Sequence, residues 1–121
     1  YSYNSLVPEI PFFLHNGIQK FDYQEMRETD RYMLPEGKFM QQPVFAPRAD
    51  SKDEDDGYLV AYVGDKKKTE VYIWNAKKVS EGPIARVQLP QWVPFGSHAY
   101  WGRGSDIREA QERNQRNKTA P

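Results

Sequence analysis

Residues Tyr58–Trp74 read YLVAYVGDKKKTEVYIW, two apolar runs joined by a charged tip. Tyr58–Val63 is apolar at every position, so either set of alternate side chains is greasy, and the run predicts a strand buried on both faces. Gly64 and Asp65 close it. Lys66, Lys67 and Lys68 then form a hairpin tip whose ammonium groups keep the end soluble and discourage edge pairing. From Glu70 to Trp74 the pattern alternates, with Val71 and Ile73 on one face and Tyr72 and Trp74 on the other. Such a pair of strands points to a β protein.

The same rhythm extends in both directions. Gly17–Phe21 and Thr29–Met33 flank the polar turn Asp22-Tyr23-Gln24-Glu25. Pro43–Pro47 (PVFAP) is an extended segment bounded by prolines that cannot donate to a ladder. In Ala85–Leu89, Ala85, Val87 and Leu89 point one way while Arg86 and Gln88 point the other. Strands spaced roughly every 10 to 15 residues predict an all-β sandwich, barrel or propeller. The C-terminus departs from this pattern. Asp106 and Glu109 have capping-box spacing ahead of a helix over Ile107–Arg116, whose apolar residues are only Ile107 and Ala110. From Asn114 onward a frayed or disordered tail is expected.

At 121 residues and 38% hydrophobic content, the chain suffices for one domain with a modest core. Seventeen basic residues balance seventeen acidic ones, so no nucleic acid is expected as a partner and no anionic surface is required. The absence of cysteine excludes disulfides and thiolate metal sites and fits a reducing, cytoplasmic compartment. No apolar run approaches the roughly 18 residues of a spanning helix. The opening Tyr-Ser-Tyr carries no signal-peptide features and is expected to belong to a longer protein.

Several stretches invite a functional reading and do not sustain it. Asp50–Gly57 (DSKDEDDG) crowds carboxylates before a glycine, but with Gly57 as the sixth position of a calcium loop the first is Lys52 and the twelfth Val63, neither of which can ligate. The segment is expected to be a solvated acidic loop. Tyr1, Tyr3, Phe12 and Phe13 read as an aromatic ligand wall or simply as core. His15, beside Asn16-Gly17, is expected at a turn and facing solvent. Asn117-Lys118-Thr119 is a sequon of the kind that arises by chance. No nucleophile elbow, phosphate loop or HExxH helix is present. There remains His98 in VPFGSHAYWG (Val93–Gly102), one of only two histidines, set among aromatics and glycines. From the residues alone it is a packed core histidine, the commoner case, or a metal ligand.

Four blocks carry a resemblance that goes further: PVFAPR (Pro43–Arg48), EDDGYLVAYVGD (Glu54–Asp65), VYIWNAKKVSEGPIARVQLP (Val71–Pro90) and VPFGSHAYWG. In this order and spacing they resemble the C-terminal part of the carotenoid cleavage oxygenases, which include apocarotenoid oxygenases, isomerase-type proteins of the retinal pigment epithelium and lignostilbene dioxygenases. GIQKFDYQEM (Gly17–Met26) resembles the hairpin upstream, whereas residues 103–121 match nothing in the family.

The resemblance implies a seven-bladed β-propeller with Fe(II) held on its axis by four histidines, the last in a block reading V-P-x-G-x-H. That block here is Val93-Pro94-Phe95-Gly96-Ser97-His98, which makes His98 the expected iron ligand, while His15 falls where the family has none. Imidazole suits Fe(II) and binds it when neutral, with its other nitrogen held by an acceptor. Gly96 is expected to allow a sharp turn, and Phe95, Tyr100 and Trp101 to line an apolar substrate pocket. The family commonly has a glutamate before the P-[VLI]-F block; this chain has Gln42, whose amide oxygen still accepts a bond from a liganding histidine but without charge. Ser97-His98-Ala99-Tyr100 also departs from the bulkier residue followed by His-Gly-Thr found in many members, which bears on pocket shape.

Residues 1–102 are therefore expected to form about the last two blades of such a propeller, at roughly 40 to 50 residues each, and residues 103–121 a polar helical or disordered tail. In the complete protein the expected activity is cleavage of a conjugated carbon–carbon double bond in an apolar carotenoid, apocarotenoid or stilbene by Fe(II) and O2. Peripheral membrane contact is compatible with that role. The 121-residue chain alone, holding one ligand and lacking the remaining blades, is expected to be inactive and prone to aggregate. The alternatives are a non-catalytic β module that binds through its aromatic faces and a degenerate fragment without a stable fold.

Overall fold

A computed structural model describes residues 1–7 and 14–120, which leaves Phe12 and Phe13 of the expected aromatic wall outside the described residues. The first sheet has the order β1-β2-β3, from β1 (Ser2–Leu6), β2 (Gly17–Asp22) and β3 (Arg27–Met33). The second contains β4 (Phe39–Met40), β5 (Val44–Pro47), β6 (Gly57–Gly64), β7 (Thr69–Asn75) and β8 (Pro83–Gln88). Its order is β4-β6-β7-β8, with β5 also paired to β6, and every pairing in both sheets is antiparallel. The all-β class is therefore observed, with one α-helix among the described residues, α1 (Gly104–Thr119), and a single 3-10 turn at Val79–Glu81.

Both central hairpins turn by the same device. The Asp65 carboxylate accepts the backbone N–H of Lys67 at 2.7 Å and of Lys68 at 3.0 Å, and Asp22 accepts those of Gln24 at 2.7 Å and Glu25 at 3.1 Å. A short acidic side chain thus supplies the acceptor that the turning backbone lacks, and these bonds hold both carboxyls below their ordinary range. Gly57 opens β6 because a Cβ there would run into the Ala46 carbonyl of β5.

One core joins the two sheets. Ile18 of β2 and Leu34 pack with Leu59, Ala61, Val63, Tyr72 and Trp74, the buried faces of β6 and β7. Tyr32 of β3 meets the edge of Trp74 with ring centroids 5.8 Å apart, and the Tyr3 hydroxyl donates to the Ala76 carbonyl at 2.9 Å. Tyr3 of the expected wall is thus committed to the seam between the sheets.

Burial of β6 on both faces does not occur within this chain. Leu59, Ala61 and Val63 are buried, but Val60 is half-buried and Tyr62 is 41% exposed. The register explains the pattern, since Val44, Val60, Ile73 and Ala85 align across four strands and Tyr62, Val71 and Val87 across three. These rows form a second apolar face that no other described element covers. Arg86 instead lies on the Tyr72 side, its guanidinium 5.0 Å from that ring, so the apolar side of β8 belongs to the open face.

The acidic loop is less solvated than expected. Asp53 pairs with Lys77 at 2.9 Å, Asp56 with Arg48 at 3.0 Å, and Asp55 is drawn inward onto Lys20 of β2 at 2.8 Å. Lys20 is 5% exposed, so the Lys20–Asp55 pair is a buried fastener between the sheets. Asp55→Ala leaves that ammonium without its carboxylate and is expected to destabilise the fold by about 3 kcal/mol, whereas adding Lys20→Met restores most of the loss. Urea melts of the three proteins check this, and equal stability of the single and double variants contradicts it.

Helix α1 departs from its expectation in two respects. It continues through Asn114 to Thr119, and its N-cap is Arg103 with no side-chain cap bond, so Asp106 lies in the first turn rather than forming a capping box. There Asp106 opposes the positive helix end, with Arg116 and Lys118 at the other. None of its residues is buried. No described helix is long and apolar enough to cross a membrane.

Candidate functional site

His98 lies beyond β8 on a segment without regular secondary structure. Beyond the Leu89 N–H, which bonds to the Thr69 carbonyl at 3.0 Å, side chains secure this segment. The Thr69 hydroxyl accepts the Val93 N–H at 2.9 Å, the Gln41 amide donates to the Pro94 carbonyl at 2.9 Å, and the Trp92 indole donates to the Asp65 carbonyl at 3.3 Å. Gly96 does not adopt the left-handed conformation that would make glycine necessary for a turn. A Cβ there would sit 3.4 Å from the Gln41 amide oxygen, an ordinary contact, so the expected sharp turn is not what calls for glycine at this position.

At the end of the segment, His98 Nδ1 lies 3.3 Å from the Gln42 side-chain oxygen. An amide oxygen only accepts, so the pair is satisfied when Nδ1 carries the proton and donates it. The Nε2 lone pair is then free. Both side chains are exposed in this chain. They line a hollow of about 520 Å³ with Tyr3, Asn4, Ser5, Ser97 and His15.

His15 does not face solvent. Its ring is half-buried, its backbone carbonyl accepts the Met40 N–H at 2.8 Å, and its buried Nδ1 has no partner among the described residues. Burial holds its pKa below the ordinary histidine value, which favours a neutral ring at pH 7. The two histidines, 83 positions apart in sequence, thus border one hollow.

None of the three aromatic residues expected around the histidine lines its hollow in this chain. Phe95 borders a different, apolar hollow of about 610 Å³ with Leu14, Phe39 and Trp92, while Tyr100 is 85% and Trp101 45% exposed. No group of three or more histidine, cysteine or carboxylate side chains able to hold a metal exists among the described residues. The donor chemistry fits one position of a metal site, an imidazole with one nitrogen tethered to Gln42 and the other without a partner among the described residues. Gln41 and Thr69 gave no signal in the sequence, since an isolated glutamine and a strand threonine match no motif.

Fold and site together define a β-sheet protein that presents a single tethered imidazole at an exposed edge. The family model for retinal pigment epithelial membrane protein matches residues 1–103. The chain belongs to that family, the carotenoid cleavage oxygenases. It is 40% identical over 109 residues to carotenoid 9,10(9',10')-cleavage dioxygenase 1 of Pisum sativum, covering 77% of this chain and 20% of that protein. Among solved structures it is similar to the lignostilbene dioxygenase of Pseudomonas brassicacearum (TM-score 0.69, 26% identity, 79% of this chain and 20% of that one). It is also similar to cobalt-substituted apocarotenoid oxygenase of Synechocystis (TM-score 0.67, 26% identity, 74% and 19%). The chain spans about a fifth or less of the length of the curated relatives it matches.

Proposed function

We propose that this chain is the C-terminal portion of a non-haem Fe(II) dioxygenase that cleaves a conjugated double bond of a carotenoid, apocarotenoid or stilbene, with His98 as one iron ligand. The observation that carries this reading is the 3.3 Å contact between His98 Nδ1 and Gln42, because it leaves Nε2 as the free donor. When bound, Fe(II) with O2 supplies the oxidative chemistry, in which one double bond and one O2 become two carbonyl products. The protein residues act on the ligand. Gln42 fixes the tautomer and the direction of the ring, and the segment anchored at Val93 and Pro94 carries that ring to the rim of the sheet.

In this reading residues 1–102 are about the last two blades of the propeller and residues 103–121 a polar tail. The open face of β5, β6, β7 and β8 takes a neighbouring blade, which explains why β6 is apolar on both sides. Phe95, Tyr100 and Trp101 meet the substrate pocket only with the other blades in place. The other three histidine ligands come from those blades, so the chain alone cleaves nothing.

The test is turnover by the complete iron-loaded protein on carotenoid, apocarotenoid and stilbene substrates under ¹⁸O₂. Label in both carbonyl products is the expected result. Failure to bind iron and to cleave any of them would refute the proposal and leave a non-catalytic binding module. The uncharged Gln42 makes a further prediction. Gln42→Glu places a carboxylate against Nδ1, makes the imidazole more basic, and is expected to hold Fe(II) about tenfold more tightly in a chelator competition; weaker binding contradicts the assignment.

A further inference from the structure

Among the described residues, four polar or charged side chains are buried: Lys20, Asp22, Gln41 and Thr69. The first two serve the seam and the turn of the first sheet. The other two, 8% and 4% exposed, reach the segment that carries His98, where Gln41 donates to the Pro94 carbonyl and Thr69 accepts the Val93 N–H, each at 2.9 Å. Burying an amide or a hydroxyl is unfavourable unless it is bonded, so these contacts tie the segment to the sheet rather than decorating it. Gln41 is itself fixed, because its backbone N–H bonds to the Tyr62 carbonyl of β6 at 2.9 Å. Its neighbour Gln42 is exposed and takes the His98 ring. One dipeptide therefore holds the segment from inside and the imidazole from outside.

We infer that Gln41 and Thr69 are positioning residues that set the aim of the His98 imidazole without touching a metal. The inference rests on His98 being a ligand. Two anchors at successive residues, Val93 and Pro94, fix where the short arm to His98 begins, and Gln42 fixes where it ends. Removing an inner anchor lets the arm pivot. Nε2 then points over a wider range of directions, with the same ligands present but a less uniform coordination geometry.

The test uses the complete protein carrying Gln41→Met, Thr69→Val, Thr69→Ser or His98→Ala. Gln41→Met keeps the length and removes the donor; Thr69→Val keeps the shape and removes the hydroxyl; Thr69→Ser keeps the hydroxyl. Metal affinity is read by chelator competition, coordination geometry by the visible absorption of the Co(II)-substituted protein, and folding by thermal melts. Gln41→Met and Thr69→Val are expected to weaken metal binding about tenfold and to shift or broaden the Co(II) bands, while Thr69→Ser matches the unsubstituted protein. Unchanged affinity and bands in Gln41→Met and Thr69→Val overturn the inference, as does a Thr69→Ser protein impaired as much as Thr69→Val. Should Gln41→Met fail to fold, the Thr69 pair decides by the same criteria. His98→Ala separates the two levels: normal metal affinity in that variant removes His98 as a ligand, whereas its loss alongside intact Gln41→Met and Thr69→Val removes only the positioning role.

Discussion

His98→Ala in the complete protein is expected to lower Fe(II) affinity by more than about 100-fold and to reduce cleavage to background. The magnitude follows from position. Loss of a partner that merely orients a ligand costs about 10- to 100-fold in metal affinity or activity, and loss of the donor exceeds it. No other described group stands ready to replace this one, because the only other imidazole at the hollow, His15, is half-buried and anchored through its backbone to Met40. His98 is exposed and its segment is held by bonds at Val93 and Pro94, so the substitution leaves the core intact. Iron content and turnover should fall while the thermal melt stays in place. Iron and turnover at unsubstituted levels would remove His98 from the metal site.

The second large effect is on stability. Trp74→Ala is expected to destabilise the fold by about 3–5 kcal/mol, the range for an aromatic residue removed from a packed core, and to lower the melting temperature by roughly 10–25 °C. Trp74 is fully buried, meets Tyr32 across the seam and stands against Tyr72 at 5.6 Å. The neighbouring outward residue is the control. Val71 is half-buried on the open face, and Val71→Ala in this chain is expected to cost less than about 1 kcal/mol. A larger loss at Val71 than at Trp74 would mean that the two faces of β7 have been assigned the wrong way round.

The central strands are legible in the sequence because alternation is a local property. Val71 and Ile73 oppose Tyr72 and Trp74 as the pattern requires, and Asp22 and Asp65 mark their turns by chemistry that needs no distant partner. β1, reading SYNSL, and the two-residue β4 escape notice because neither carries an apolar alternation long enough to read. The doubly apolar β6 shows a limit of another kind. Its composition reports a strand with two greasy faces, while the chain itself covers one.

Distance in sequence sets the limit at the site. Gln42 and His98 are separated by 56 positions, and their pairing was expected through family resemblance alone. His15 is tied to Met40, 25 positions away, by a backbone bridge, and the anchoring by Gln41 and Thr69 depends on how the last segment folds back across β6 and β7. Asp55 illustrates the same point outside the site, since a charge run that reads as solvated hides one carboxylate aimed at Lys20.

The most direct measurement is a crystal structure of the complete protein with its metal bound. The expected result is His98 Nε2 on the metal, with Nδ1 turned to the Gln42 side-chain oxygen as it is here. A His98 ring directed away from every cation, or one that meets the metal through Nδ1 with Gln42 released, contradicts it.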